Sequence, residues 1–413
     1  MKYISKYFLG LSLMLAAGFS SCTGDLDVPP KDPNQDTPEK MFAADPRGTM
    51  DRLLAECYQG LATAGNKGSD QSILGFGDAG AGTFTRTIFN LEELTTDHFS
   101  WLQFNDGGYY ELVTMAFAPD NEIMYAAYSR IYGEIAICNE VIRTIQQYRS
   151  YLPDGDQAAA DDAIRQAKIL RSLAYFYAIS DFGSAGYVDE TTEAGTAPVQ
   201  YSRADLYNKV VSTLEEVSAE YGDSYTAPAY GYVGKEAADA LLARFYLNAG
   251  VFTGTPAYDK CWNICQKIIA HHQGAGFDNS GLSDSYKALF GANNKEYAAQ
   301  GSRVNEIIFT IPQDGINLQA YGGSTFFIAA CCGSYDGISS INDCNLNAQW
   351  TCMVAREQLS RKFEFDGHGF TNDARAELWK TSKDGFEIGN STIMGNAGFG
   401  KGYAPLKLSL IHI

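Results

Sequence analysis

The chain has 413 residues and a formal net charge of −18. That charge excludes nucleic acid as a partner, because binding phosphate backbones needs a basic face. Aromatics make up 13% of the residues and include 26 tyrosines, more than a core requires, since tyrosine keeps a polar end for solvent or ligand.

The N-terminus reads as an address. Lys2 and Lys6 flank a short apolar run from Phe8 to Ala17, and Ser20-Ser21-Cys22 follows. A basic start, a short apolar core and small residues describe a secretory signal. The run is too short to span a bilayer, which needs ~20 apolar residues. A cysteine directly after the small residues makes residues 1–21 a lipoprotein signal, with Cys22 acylated after cleavage. Residues 22–40, rich in Pro and Asp, then read as a tether.

Helical spacing begins near residue 41. Met50, Leu53, Leu54, Cys57 and Leu61 share one face. Residues 64–120 are rich in Gly, Thr, Asp and aromatics and show no sustained period, which marks functional loops. The clearest helices come next. Ile131, Ile135, Cys138, Ile142 and Ile145 alternate steps of four and three, and Leu170, Leu173, Ala174 and Tyr177 repeat the pattern. Ser202-Arg203-Ala204-Asp205 opens another helix as a capping box, burying Leu206, Val210, Leu214 and Val217. Ala238, Leu241, Leu242, Phe245 and Ala249 define the next. A fifth is expected to open at Thr255-Pro256 and to bury Trp262, Cys265, Ile268 and Ile269. Leu173-Ala174-Tyr175-Phe176-Tyr177 recurs 69 residues later as Leu242-Ala243-Arg244-Phe245-Tyr246, close to two ~34-residue tetratricopeptide units. Residues 41–63 and 121–275 thus form a helical-repeat scaffold.

Beyond residue 275 the character changes. Glu306 to Ile311 reads as a short strand ended by Pro312, and a helical stretch is expected near Trp350 to Leu359. Otherwise Gly, Asn and Ser dominate, so residues 276–407, with 64–120, form a loop-rich half. Residues 408–413 read as a translated sequencing adapter and are excluded from fold reasoning. The natural chain is expected to continue.

Cys57, Cys138, Cys261 and Cys265 fall on apolar helix faces as buried thiols. Cys331, Cys332, Cys344 and Cys352 cluster in the loop-rich half, where the pairing of any disulfide stays open. No C-x-x-C pair occurs, so no zinc site is expected. Asp336 and Asp343 do not fit an EF-hand loop. Gly75 to Gly80 matches G-x-G-x-x-G without the surrounding βαβ unit it needs, and Gly395 to Gly402 lacks the Ser/Thr of a P-loop. No cofactor is expected. His271-His272 closes a helix, where a cationic imidazole favours the dipole.

A glycosidase would need two carboxylates facing each other. Glu92, Glu93, Asp97, Asp106 and Glu111 offer material, but the plainer reading is a polar loop that bonds ligand hydroxyls. Sugar binding needs flat apolar faces together with planar amides and acids. Trp101 lies among Asp97, His98, Gln103, Asn105 and Asp106, with Tyr109 and Tyr110 following. Tyr321, Phe326, Phe327, Tyr335 and Trp350 supply aromatics later in the chain.

Several runs carry a resemblance. These are Cys22 to Pro30; Ala167 to Phe176 followed by Asp181-Phe182-Gly183; Tyr201 to Tyr207; and Gly234 to Leu247. Tyr286 to Phe290, Asn305 to Phe309 and Asp373-Ala374-Arg375 complete the series. In this order, over about 350 residues, the chain resembles the SusD/RagB family of outer-membrane glycan-binding lipoproteins. The resemblance implies a mainly α fold for residues 41–407 as one domain: a tetratricopeptide-like helix-pair scaffold supporting an irregular ligand-binding half. It implies a non-enzymatic protein, lipid-anchored at the cell surface, that captures oligosaccharide or polysaccharide for a TonB-dependent, SusC-like transporter. Relatives form an aromatic arc from one early loop and the region past residue 300. The expected ligand contacts are therefore Trp101, Trp350, Tyr321, Asp97, Asn105 and Phe326, with no metal.

Overall fold

The computed structural model describes residues 36–65, 79–101, 103, 106–193, 195–226, 228–274, 289, 306–313, 318, 320, 322–331, 334–335, 338–339, 352–356 and 359. Helix α1 (Pro38–Ala44) begins inside the stretch assigned to the tether, because Thr37 accepts from the Lys40 amide and Pro38 suits the first helical position. Asp45 in turn caps α2 (Pro46–Ala62) through the Gly48 amide. Helix α3 (Phe84–Leu94), strand β1 (Phe99–Trp101) and helix α4 (Tyr109–Val113) occupy the segment read as loop. Their buried face includes Arg86, Thr87 and Asn90, so the hydrophobic period that would have announced α3 is broken by polar residues.

The long helices follow in the expected places: α5 (Glu122–Gln147), α6 (Gln157–Tyr177), α7 (Arg203–Glu220), α8 (Lys235–Thr253) and α9 (Tyr258–Gly274). Asn121 caps α5 through the amides of Ile123 and Met124. The Ser202 hydroxyl caps α7 through the Asp205 amide at 3.2 Å, as the capping box predicts. Each of α5 to α9 packs on a neighbour in sequence, and α2 closes the array against α5 and α6. The two copies of the short repeat meet, with Phe176 on α6 edge-on to Phe245 on α8 at 5.1 Å. One core runs through these helices, from Phe42 and Met50 to Phe245 and Phe252. After α6 a π turn (Ala178–Phe182) feeds a small sheet in which β2 (Ala185–Tyr187) pairs antiparallel with β3 (Val199–Tyr201).

Three expectations fail. Helix α9 starts at Tyr258 rather than at Pro256, and Trp262 is 65% exposed with Ile269 also exposed. Those two residues lie on the side of α9 away from α8, so helical spacing alone misassigned the buried face. Residues 306–313 form no strand; instead Phe309 and Ile311 lie against the scaffold core. Of the helix expected around residues 350–359, Leu359 is helical, but Met353–Ala355 form β6, which follows α10 (Ser324–Cys331) and the β4–β5 pair (Ser334–Tyr335, Ile338–Ser339). Tertiary pairing overrides local propensity there: β6 runs antiparallel to β1, with Phe99 opposite Ala355 and Trp101 opposite Met353.

Candidate functional site

The β1–β6 ribbon is the joint of a second, smaller core. Leu94, Phe99, Trp101, Tyr109, Leu112, Ile123, Phe326, Phe327, Cys352 and Met353 form it. Trp101 sits at its centre, 2% exposed. Its ring stacks on Tyr109 at 4.0 Å and lies near-parallel to Phe326 at 6.1 Å, while its indole N–H donates to Asp106 Oδ2 at 2.9 Å. Phe326 is 3% exposed and carries the Arg86 guanidinium 3.6 Å from its ring centre. These two residues were expected to stack on a ligand, and the structure corrects that. Both are buried and form the aromatic floor of this core, with no open face.

Two buried cations that sequence reasoning missed brace this floor. Arg86 donates to the Tyr109 hydroxyl at 2.7 Å. Arg356, directly after β6, donates from Nε to the Phe99 carbonyl at 3.0 Å and from Nη2 to the Val113 carbonyl at 3.2 Å. Its own amide bonds the His98 carbonyl at 2.8 Å. One side chain thus ties β1, α4 and β6 together. Nothing in the sequence marks Arg356, because its partners are main-chain carbonyls from the distant early segment.

Among the described residues, Asp97 is the most open of the expected contacts, with 76% of its side chain exposed and Arg356 3.8 Å away. His98 pairs with Glu93 at 2.9 Å. Glu92 is half-buried on α3, and its carboxyl is pushed up by burial, with Glu93 adding to the shift and Arg244 opposing it. Glu92 also faces Asp181 of the π turn. Burial, helped by the Glu92 charge, raises the Asp181 carboxyl to about 8. Asp181 Oδ2 has no hydrogen-bond partner among the described residues. The acids of the early segment thus meet different neighbours: Asp106 bonds the indole, Glu93 pairs with His98, and Glu92 lies near Asp181 and Arg244. Tyr110 on α4 and Phe117 beyond it are exposed. Asn105, Tyr321 and Trp350 lie outside the described residues, as does Cys22. Among the described residues no group of three or more His, Cys, Asp or Glu side chains is placed to hold a metal, and no helix is long and apolar enough to cross a membrane.

A stacked helix-pair scaffold, with a second core closed by one long-range strand pair, defines a helical-repeat protein of the tetratricopeptide type. No family model matches the chain. It is 30% identical over 369 residues to the starch-binding protein SusD of Bacteroides thetaiotaomicron, a match covering 88% of this chain. The chain spans 60% of the length of that relative. Among solved structures, a SusD superfamily protein of Bacteroides vulgatus superposes with a TM-score of 0.58 at 14% identity, over 81% of this chain and 65% of the other. A second, from Bacteroides thetaiotaomicron, gives 0.57 at 15% identity over 87% and 69%. Surface glycan-binding protein A of Bacteroides thetaiotaomicron, solved with laminarihexaose, gives 0.52 at 16% identity over 80% and 62%. In sequence the chain is thus similar to one SusD protein, and in fold it is similar to the SusD superfamily.

Proposed function

We propose that this chain is a non-catalytic, surface-anchored glycan-binding protein. It captures oligosaccharide and passes it to a TonB-dependent, SusC-like outer-membrane transporter, and Cys22 carries the lipid that holds it to the outer membrane. The 30% identity to a protein named for starch binding carries the glycan reading. The absorption of Glu93 and Asp106 into separate local contacts supports a binding rather than a hydrolytic role.

The site belongs at the open end of the β1–β6 ribbon. Antiparallel register puts the end of β1, from which the chain runs on toward Asn105, beside the start of β6, at which it arrives from Trp350. Asn105 follows β1 by four residues and Trp350 precedes β6 by three, which supports assigning both to one site. Trp350 and Tyr321 supply stacking faces, and Asp97 and Asn105 bond hydroxyls. Stacking removes apolar area from water at ~25 cal/mol per Å², whereas hydroxyl bonds largely replace bonds to water and net ~0.5–1.5 kcal/mol each. Affinity should therefore rest on the aromatics and selectivity on the polar groups.

Isothermal titration with malto-oligosaccharides and β-1,3-gluco-oligosaccharides, beside a reducing-end release assay, tests this. Binding without release is expected, with Trp350→Ala weakening it more than Asp97→Ala. Release of reducing ends, or failure of the folded chain to be retained on any of a panel of polysaccharides, overturns the reading.

A further inference from the structure

Helices α2 and α5 touch along one seam, and three contacts fix its register. Arg130 on α5 donates from Nη2 to the Ala64 carbonyl, just past the end of α2, at 2.5 Å. One turn along, a Cβ built on Gly60 would lie 2.1 Å from Glu134 Oε2 and 3.4 Å from Ile137 Cδ1. The partner on α5 therefore advances as the residue on α2 recedes, so the two helices run antiparallel. One further turn brings Cys57 opposite Cys138. Both cysteines are free thiols in this structure, fully buried in the same core. The Cys138 thiol also donates to Glu134 Oε1 at 3.4 Å. Glycine at position 60 leaves room at this crossing for the Glu134 and Ile137 side chains, and a disulfide one turn away needs Cα atoms ~4.4–6.8 Å apart.

From this register we infer that Cys57 and Cys138 form a disulfide that staples α2 to α5 in the exported protein. The two thiols lose two protons and two electrons as the S–S bond forms. The electrons reduce the disulfide of a thiol–disulfide oxidoreductase of the exported compartment to a dithiol. The step occurs while the chain is folding, because the closed core excludes the oxidant: burial holds the Cys138 thiol well above its ordinary range, with Cys57 beside it adding to the shift. The inference rests on the reading of residues 1–22 as an export signal, since such bonds persist in oxidising compartments. The bond would close a loop of about 80 residues, long enough to remove much entropy from the unfolded chain.

Two preparations separate the staple from the export reading. The full chain is exported to an oxidising periplasm, denatured in N-ethylmaleimide without reductant, and mapped by peptide mass. The same chain, made reduced in the cytoplasm, is unfolded and refolded in a mixture of oxidised and reduced glutathione and mapped in the same way. In both, the Cys57 and Cys138 peptides are expected linked and unalkylated, separating only after reduction. Cys57→Ser should leave Cys138 fully alkylated, and reduction should lower the thermal midpoint of the parent but not of a Cys57→Ala/Cys138→Ala chain. Alkylation of both cysteines in the refolded chain overturns the staple whatever the compartment. Pairing in the refolded chain with alkylation in the exported one upholds the geometry and overturns the export reading.

Discussion

Replacing Trp101 with alanine empties the centre of the smaller core. The indole is 2% exposed, stacks on Tyr109 at 4.0 Å and donates to Asp106 at 2.9 Å. A buried Trp→Ala change costs ~3–5 kcal/mol in transfer and cavity terms. The stacked pair adds ~0.5–1.5 kcal/mol, partly counted already in the cavity figure, so a loss of about 4–5 kcal/mol is expected. Against a typical total of ~5–15 kcal/mol, the second core would be close to melting. Trp101→Phe keeps most of the ring and loses the bond to the Asp106 carboxylate, for about 1–2 kcal/mol. Urea unfolding followed by near-ultraviolet circular dichroism measures both, with oligosaccharide titration on the same samples. Ligand affinity should fall only as the folded fraction falls. An alanine variant within about 1 kcal/mol of the parent, with its near-ultraviolet spectrum intact and its affinity gone, would show that the ring contacts sugar directly. That result would refute the assignment of Trp101 to the floor.

Asp181 gives a pH test. Its folded-state pKa, raised to about 8 by burial and by Glu92, lies above the ~3.9 of an unfolded aspartate. The folded chain then holds the extra proton between those values, so stability falls as pH rises from about 4 to about 8. Asp181→Asn should flatten that slope and stabilise the protein by roughly 1–3 kcal/mol at pH 8; an unchanged slope in urea melts across this range would rule the buried acid out. Arg356→Met leaves the Phe99 and Val113 carbonyls without their shared donor and should cost about 2–3 kcal/mol. Hydrogen exchange should quicken at Phe99–Trp101 and Tyr109–Val113 and not in α6 to α8, whereas uniform exchange would contradict its role as a local tie. Cys22→Ala removes the thiol that takes the lipid, so the chain should leave the membrane fraction on cell breakage. Full retention there would sink the anchoring proposal.

The scaffold was legible because its helices carry their own signals. The apolar positions of α5 to α8 recur at steps of three and four, and Ser202 and Asp205 announce the start of α7. The repeat around Phe176 and Phe245 pointed to the helical-repeat scaffold, in which those two rings meet. The second core was not legible in the same way. Helix α3 hides its inward face behind Arg86, Thr87 and Asn90, and β6 is a strand only because β1 lies beside it. Trp101 illustrates the gap: an aromatic among acids and amides has the composition of a sugar platform, but composition does not say which way the ring faces. Here the neighbouring Asp106 satisfies the indole N–H, which lets the ring be buried. On α9, spacing located the helix, but which face of its cylinder meets α8 is set by packing that no local period encodes.

The ribbon between β1 and β6 also sets a clock. Arg356 bonds a carbonyl 257 positions earlier in the chain, while the scaffold helices pack mainly on neighbours in sequence. Local contacts form quickly and distant ones slowly. At ~5–20 residues per second, a ribosome takes about 10–50 s to go from β1 to β6. During that interval the early aromatic segment is waiting for its strand partner, with apolar surface that the partner will later cover. Export in an unfolded state, or a holding chaperone, would shelter it for that time. With the site placed on this ribbon, as proposed, capacity for ligand would be the last property the chain acquires, and brief openings of the ribbon would lose it well before the helices unfold.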